Sequence, residues 1–222
     1  MSIPTMIAAT ALAIAGVTVS PTTEAAAENF IGRQMPKLDS DRMTPEALWA
    51  MGRIGTVAPN AAGTHAVYSV SYYSVPENKS HSVLYLLDIK TKKSLQLTTS
   101  TKSESGAVWV RFGNEERIVY LSSEGGSSQL WSMKSDGTDR KQISHESDDI
   151  IDFLFAPNGK RVILVKEVAQ HTAIAPQEAD LPKATGMVIN DLMYKHWDQY
   201  VTSAPHPFLA NFDGEKVTVA KD

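Results

Sequence analysis

The chain has 222 residues, a formal net charge of -4 and no cysteine, and 42% of its residues are hydrophobic. These values are typical of a globular protein. The lack of a basic excess argues against a nucleic-acid-binding protein, and the lack of cysteine excludes disulfides, cysteine-ligated zinc and a thiol nucleophile.

A signal peptide is predicted at residues 1–27. An apolar run from Met6 to Val19 is too short to span a bilayer, and Ala25-Ala26-Ala27 follows it as a cleavage motif. No lysine or arginine precedes the run, so a disordered start or a buried N-terminal segment is the alternative. We expect a mature chain that begins near Glu28, has no membrane span and is periplasmic or secreted.

The lead-in at 28–54 contains one helix signal. Thr44 is a suitable N-cap, Pro45 suits the first helical position, and Glu46 places a negative charge in the first turn. Residues 44–51 are therefore predicted to form a short helix or helical turn before the first strand.

Three hairpins with the same turn chemistry follow the lead-in. Their turns, Pro59-Asn60, Gly113-Asn114 and Pro157-Asn158, are 54 and 44 positions apart, and an apolar strand follows each. Proline presets the backbone for a turn, while asparagine and glycine tolerate its left-handed positions. The pattern predicts three related hairpins.

A second motif repeats between these hairpins. The segment 84–98 matches 130–144 at a spacing of 46, and 207–219 is a third copy with its turn at Asp213-Gly214. Each copy consists of a strand, a polar turn and a short second strand. In the first two copies the short strand ends in a hydrophobic and then a hydroxyl residue, Leu97-Thr98 and Ile143-Ser144.

Together the two motifs form a unit of four antiparallel strands that recurs every 45 residues or so, which is typical of a β-propeller blade. A helical repeat is excluded because apolar residues recur at a period of two. The alternative is a β-sandwich whose hairpins share turn chemistry by chance. We predict an all-β fold, an incomplete β-propeller of WD40 or TolB type over 55–222, with an insertion at about 174–201.

No catalytic residue, metal site or cofactor is predicted. A serine hydrolase of the α/β type exposes its nucleophile in a G-x-S-x-G turn, which the sequence lacks, and the segment 125–128 is predicted to be a hairpin loop. The six histidines do not form H-x-x-x-H or H-E-x-x-H. The segment 136–139 is predicted to be a plain turn, and His145-Glu146 to be solvated.

The insertion carries the candidate substrate-binding residues. Tyr194, His196, Trp197 and Asp198 place aromatic, imidazole and carboxylate groups within five positions of an irregular segment. Loops with such groups often line binding sites. In the alternative, the two aromatic residues cap a blade core and the other two are solvated.

Several segments resemble the N-terminal propeller of S9 (prolyl oligopeptidase) family peptidases, in the dipeptidyl-peptidase and acylaminoacyl-peptidase-like branch of Bacteroidetes type. These segments are MTPEALWAMGRIGTVAPN at 43–60, the matching motifs at 84–98 and 130–144, FAPNGKRVILV at 155–165 and DLMYKHWDQYV at 191–201. The blade motifs are shared with other propellers, whereas the lead-in and the insertion are more specific.

The resemblance implies the propeller part of a secreted or periplasmic serine peptidase. The propeller would gate peptide substrates to a C-terminal α/β-hydrolase domain that is absent from this chain, and Asp198 would receive a peptide ammonium beside Trp197. A dimer is left open, and Glu115-Glu116, placed at a hairpin turn, is given no ammonium-binding role. The alternative is a stand-alone TolB-like periplasmic propeller that binds a protein partner.

An open set of blades leaves an apolar sheet face in water. We therefore expect the chain alone to be poorly soluble or to self-associate. A G-x-S-x-G motif downstream of the propeller would favour the peptidase over the TolB-like module.

Overall fold

The computed structural model describes residues 30–36, 41–169, 174–175, 188–189 and 203–221. The predicted signal peptide and the four candidate residues of the insertion, Tyr194, His196, Trp197 and Asp198, lie outside these ranges. Within the described residues, no helix is long and apolar enough to cross a membrane.

The helix predicted in the lead-in is confirmed as α1 (Pro45–Ala50). Thr44 is its N-cap, because its hydroxyl accepts a hydrogen bond from the Ala47 amide at 3.2 Å. Proline at the first helical position lacks only an amide that would have no partner within the helix. The helix ends at Ala50, and Met51 is extended toward the first strand.

Three four-stranded antiparallel sheets, which we call blades 1 to 3, account for most of the described residues. Blade 1 contains β1 (Arg53–Pro59), β2 (His65–Ser74), β3 (Lys79–Asp88) and β4 (Ser94–Gln96). Blade 2 contains β5 (Glu104–Phe112), β6 (Glu115–Ser122), β7 (Gln129–Met133) and β8 (Lys141–Gln142).

Blade 3 is interrupted by the predicted insertion. It begins with β9 (Ile150–Phe155) and β10 (Arg161–Ala169), and a small hairpin follows, made of β11 (Ile174–Ala175) and β12 (Val188–Ile189). The blade is completed by β13 (Ser203–Phe212) and β14 (Val217–Lys221), with strand order β14-β13-β10-β9. The predicted all-β class with four-stranded antiparallel blades is confirmed.

The shared turn chemistry has a structural cause in each blade. In blade 1 the Asn60 side chain accepts hydrogen bonds from the amides of Thr64 at 2.9 Å and His65 at 3.1 Å. In blade 3 Gly159 is left-handed, with φ of 68°, and a side chain there would collide with the carbonyl oxygen of Arg111. Glycine is thus required because the blade 3 turn lies directly against blade 2.

The repeated hydroxyl residue after the fourth strand is a backbone acceptor. The Leu84 amide donates to Thr98 Oγ1 at 3.1 Å, and at the equivalent position the Leu130 amide donates to Ser144 Oγ at 2.8 Å. Both hydroxyl residues are buried. The fourth strand is too short to provide a backbone acceptor for this buried amide of the third strand, and the hydroxyl oxygen accepts its hydrogen bond instead.

The core consists of two interfaces between consecutive blades. The interface of blades 1 and 2 buries Val67, Leu84, Leu97, Ala107, Ile118, Tyr120 and Met133. The interface of blades 2 and 3 buries Val110, Val119, Leu121, Leu130, Ile143, Ile150, Phe153, Val162, Leu164, Ala210, Phe212 and Val217. Each blade is thus stabilised mainly by apolar contact with its neighbour.

The outer face of blade 3 has no covering blade among the described residues. Ile163 pairs with Leu154 on one side and Leu209 on the other, so the three form an apolar row across the sheet. Their exposed fractions are 40%, 69% and 39%. The outer face of blade 1 is instead partly covered by Ile31, which is buried against Val83 and its neighbours.

The apolar row on blade 3 predicts self-association of the 222-residue chain. We expect Leu154→Lys combined with Ile163→Lys to lower the average mass toward that of a monomer, because exposed apolar sheet faces drive association. Sedimentation at several concentrations measures this, with Ile89→Lys, an exposed residue of the turn between β3 and β4, as the control. A wild-type chain that is monomeric at all concentrations would contradict the prediction.

Candidate functional site

The connections of the three blades divide into two ends. In an antiparallel sheet, the link between the second and third strands lies at the same end as the link to the next blade. The connections 75–78, 97–103, 123–128 and 143–149 and the segment between β10 and β13 therefore share one end, which we call the insertion end. The hairpin turns at 60–64, 113–114 and 156–160 lie at the opposite end, the turn end.

The predicted substrate-binding residues lie in the sequence of the insertion, between two described strands. Tyr194, His196, Trp197 and Asp198 follow β12 and precede β13. Because all four lie outside the described residues, their role stays a prediction. The described residues around them define the rest of this end.

A buried ion pair fixes the base of the insertion. Lys166 on β10 is 8% exposed, and its Nζ lies 2.8 Å from Glu146 Oε2 and 4.0 Å from Asp148 Oδ2. The same ammonium lies 4.4 Å from the centre of the Phe208 ring on β13. The prediction that Glu146 is solvated is therefore wrong, because the loop after β8 folds back over β10 and pairs this carboxylate.

Gln129 holds the same loop from the other side. Its Nε2 donates to the carbonyl oxygens of Glu146 at 3.1 Å and Asp148 at 3.2 Å, and its Oε1 accepts from the Ser144 hydroxyl at 2.7 Å. Because the side chain is buried, these hydrogen bonds satisfy polar groups that water does not reach. The loop between blades 2 and 3 is therefore a fixed part of the insertion end.

His81 has the equivalent task between blades 1 and 2. Its Nε2 lies 3.2 Å from the carbonyl oxygen of Lys102, whose position corresponds to Asp148 at the repeat spacing of 46. Its Nδ1 lies 2.8 Å from the carbonyl oxygen of Ile31 in the lead-in. Since a carbonyl oxygen only accepts, both contacts are hydrogen bonds when both ring nitrogens carry protons.

A charged network within blade 2 lies at the interface with blade 1, with Glu104 and Glu124 at the insertion end. The Arg140 guanidinium donates to Glu104 Oε1 at 2.8 Å, to Glu124 Oε2 at 2.7 Å and to the Tyr120 hydroxyl at 3.0 Å. Glu104 is 0% exposed, whereas the Glu124 side chain is 41% exposed. The network therefore runs from the blade interface to the surface.

Burial governs the titration of this network. It raises the pKa of Glu104 above the ordinary 4.5, and the Thr98 side chain and the charge of Arg140 oppose this rise without cancelling it. Burial also raises the pKa of Tyr120 to about 12. One Glu104 oxygen, Oε2, has no hydrogen-bond partner. The carboxylate form of Glu104 is thus incompletely compensated.

The network is particular to the interface of blades 1 and 2. At the repeat spacings of 46 and 44, the blade 3 positions equivalent to Glu104 and Tyr120 are Ile150 and Leu164, both fully buried. Sequence reasoning missed this site. A comparison of the repeats could have found it, because blade 2 has the acidic Glu104 at the position where blade 3 has Ile150.

The acidic pair at 115–116 lies at the turn end, away from the insertion. Glu115 pairs with Arg117 at 3.2 Å, and Glu116 Oε1 accepts from the Ala61 amide of the blade 1 turn at 3.2 Å. Both acids therefore hold turns together. The segment 125–128 is a connection, in which the Ser128 hydroxyl donates to the Ile150 carbonyl oxygen at 2.8 Å.

The described residues contain polar turns but no metal-ligand cluster. Within the ranges that the structure describes, no group of three or more histidine and acidic residues is placed to hold a metal ion. Asp136 accepts hydrogen bonds from the amide and hydroxyl of Thr138, as in a plain polar turn. Fixed loops and a charged network that reaches the surface are suited to binding a polar ligand.

Consecutive four-stranded blades that pack face to face define a propeller-type domain. No protein-family model matches the chain. The acylaminoacyl peptidase of Pyrococcus horikoshii has a similar fold, with a TM-score of 0.53 and 10% identity over 77% of this chain and 25% of that protein.

The particular relationship comes from sequence. Dipeptidyl-peptidase 5 of Porphyromonas endodontalis is 36% identical over 183 residues, and that of Porphyromonas gingivalis is 35% identical over 182 residues. Both matches cover 82% of this chain but 26% of the relative, so the chain spans about a quarter of the curated relatives' length. The chain is a homologue of dipeptidyl-peptidase 5 proteins, and its resemblance to the propeller part of S9-family peptidases is confirmed.

The raised pKa of Glu104 predicts a pH-dependent stability. The folded state binds this proton more tightly than the unfolded state, so the contribution is complete below pH 4.5 and is lost as pH rises through the folded-state value. We expect Glu104→Gln to match the wild type near pH 4 and to have the larger free energy of unfolding at pH 8. Urea unfolding at several pH values measures this.

The matched control is Glu215→Gln, which removes an exposed carboxylate whose side chain is 86% exposed. This substitution should change the free energy of unfolding only slightly, and by the same amount at every pH. If Glu104→Gln is less stable than the wild type at pH 8, the ion pair with Arg140 outweighs the cost of burial and the prediction is wrong.

Proposed function

We propose that this chain forms the opening, non-catalytic propeller part of a periplasmic or secreted dipeptidyl-peptidase of the serine type. In this role it gates peptide substrates to a hydrolase domain that lies outside the sequence. The observation that carries the proposal is the 36% identity to dipeptidyl-peptidase 5 over 82% of the chain. The predicted signal peptide at 1–27 supports export.

The open face of blade 3 supports a larger propeller. Blade 3 exposes the apolar side chains of Leu154, Ile163 and Leu209. Blade 2 has comparable apolar side chains, such as Leu121, but blade 3 covers them. Propeller blades bury both faces against neighbours. The matched relative is about four times as long as the matched segment, so a longer protein of this kind has sequence that could form the next blade.

The insertion end supports the gating role. The loops at 97–103 and 143–149 are held by buried side chains, His81 and Gln129. A fixed rim positions a ligand with little loss of entropy. The insertion with Tyr194, His196, Trp197 and Asp198 arises at the same end, so these residues are suited to contact a peptide that enters there.

The division of labour follows from the residues. This chain supplies recognition, while the nucleophile and its base would come from the hydrolase domain. There, attack of a serine hydroxyl on the peptide carbonyl carbon would form an acyl-enzyme and release the shortened peptide, and water would then release the dipeptide. The propeller would restrict which peptides reach that serine.

Labelling of the native protein tests the proposal. We expect the product in the source cells to be much larger than 24.2 kDa and to gain one fluorophosphonate group, because an activated serine reacts with this probe. Intact mass before and after labelling measures both. An unlabelled product of about 24 kDa would contradict the proposal and leave a stand-alone binding propeller of TolB type.

The role of the insertion is tested separately in the full-length protein. We expect Asp198→Asn to raise KM for dipeptidyl substrates with a free N-terminus by roughly 10- to 150-fold, because a charge-assisted hydrogen bond contributes roughly 1.5–3 kcal/mol. Steady-state kinetics measure this, and an N-acetylated substrate should respond little. Asp136→Asn at the turn end is the control, and an unchanged KM in Asp198→Asn would exclude ammonium binding there.

A further inference from the structure

A cleft of about 330 Å³ lies between α1 and the hairpin of β2 and β3, at the insertion end of blade 1. Trp49 and Tyr73 supply aromatic surface to it, Val75 supplies aliphatic surface, and Ser74, Lys79 and Ser80 supply polar groups. A volume of this size accommodates a few side chains of a peptide.

Arg53 is held in place beside this cleft by two aromatic rings. Its guanidinium carbon lies 5.0 Å from the centre of the Trp49 ring and 4.4 Å from the centre of the Tyr73 ring. The two rings contact each other edge to face, with centres 5.5 Å apart. Because the two ring centres are only 5.5 Å apart, the rings do not sandwich the guanidinium, and its N–H groups have no hydrogen-bond acceptor among the described residues, so they can bind a carboxylate.

The cations at the cleft lack acidic partners. Among the residues that the structure describes, neither Arg53 nor Lys79 has a carboxylate within 4.0 Å. Hydrogen bonding to its own backbone amide and to the Thr44 side chain lowers the pKa of Glu46 on α1, and Glu77 lines a neighbouring cleft together with Arg33. Arg53 and Lys79 are therefore two cations at the cleft that no carboxylate of the described residues pairs, although the whole chain has a net charge of -4.

Exposed apolar side chains occur on the same elements as these cations. Leu48, Trp49, Met51 and Ile54 are exposed along α1 and the start of β1, and Val75 is 62% exposed on the facing hairpin. Exposed apolar surface next to polar groups is characteristic of a protein-binding site. Aromatic residues and arginine are also the residue types that contribute most to such sites.

We propose that this cleft is a docking site for an acidic, hydrophobic peptide segment. A carboxylate of the segment binds the edge of Arg53, a second acid is attracted by Lys79, and an apolar side chain between them packs on Trp49 and Val75. The charge of the cleft selects an acid, and the aromatic floor selects an apolar neighbour. The site is independent of the proposed peptidase role, since a stand-alone propeller would present the same surface.

Peptide titration of the 222-residue chain tests this site. The probes are acetyl-Asp-Leu-Phe-Glu-amide and its uncharged counterpart acetyl-Asn-Leu-Phe-Gln-amide. Calorimetry should give a Kd at least tenfold lower for the acidic peptide, with the preference reduced by added salt because the contacts are partly exposed. Tryptophan fluorescence should change on binding through Trp49.

Arg53→Glu should remove the preference for the acidic peptide. Arg111→Glu, an exposed arginine of blade 2, makes the same change in net charge and should leave the preference intact. Circular dichroism reports whether the variants fold. If Arg53→Glu does not fold, Lys79→Glu tests the second cation and should reduce acidic-peptide affinity severalfold.

Three results would overturn the proposal. Equal affinity for the two peptides would show that the cleft does not recognise acidic side chains. A lack of saturable binding at millimolar peptide would exclude peptide docking in the cleft. Binding to anionic lipid vesicles that the acidic peptide does not compete away would assign the cations to a membrane surface instead.

Discussion

The packing of each blade on the next is the interaction on which the rest of the structure depends. Side chains such as Leu84 and Tyr120 are fully buried because two sheets meet face to face. A single four-stranded sheet with one apolar face has no comparable core. This packing fixes the positions of the strand ends. It therefore also fixes where the loops of the insertion end begin and end.

Polar groups at the insertion end bind the loops to the strands and so fix the surface at this end. The Thr98 and Ser144 hydroxyls satisfy third-strand amides where the ladders end, and Gln129 and His81 then bind the loops that lead to the next blade. The network around Arg140 adds charge to the first interface. Stability and recognition thus depend on the same end of the blades.

Both proposed binding regions lie at that end. The cleft beside Arg53 belongs to blade 1, and the insertion with Asp198 belongs to blade 3. Among the described residues the cleft has two cations without a carboxylate within 4.0 Å, and the role proposed for Asp198 would add an acid. In a propeller that closes with further blades, a peptide approaching this end would meet both charges, which would favour one orientation of the chain.

The sequence by itself determined the blades, because their signals are local. The turn residue Asn60, the N-cap Thr44 and the period-two strands each act within a few positions. The ion pair of Lys166 with Glu146 and the network of Glu104 with Arg140 were decided only by the tertiary structure, since each joins residues 20 or more positions apart. The stacking of Arg53 on Tyr73 likewise requires β1 and β2 to pair, so no local pattern revealed it.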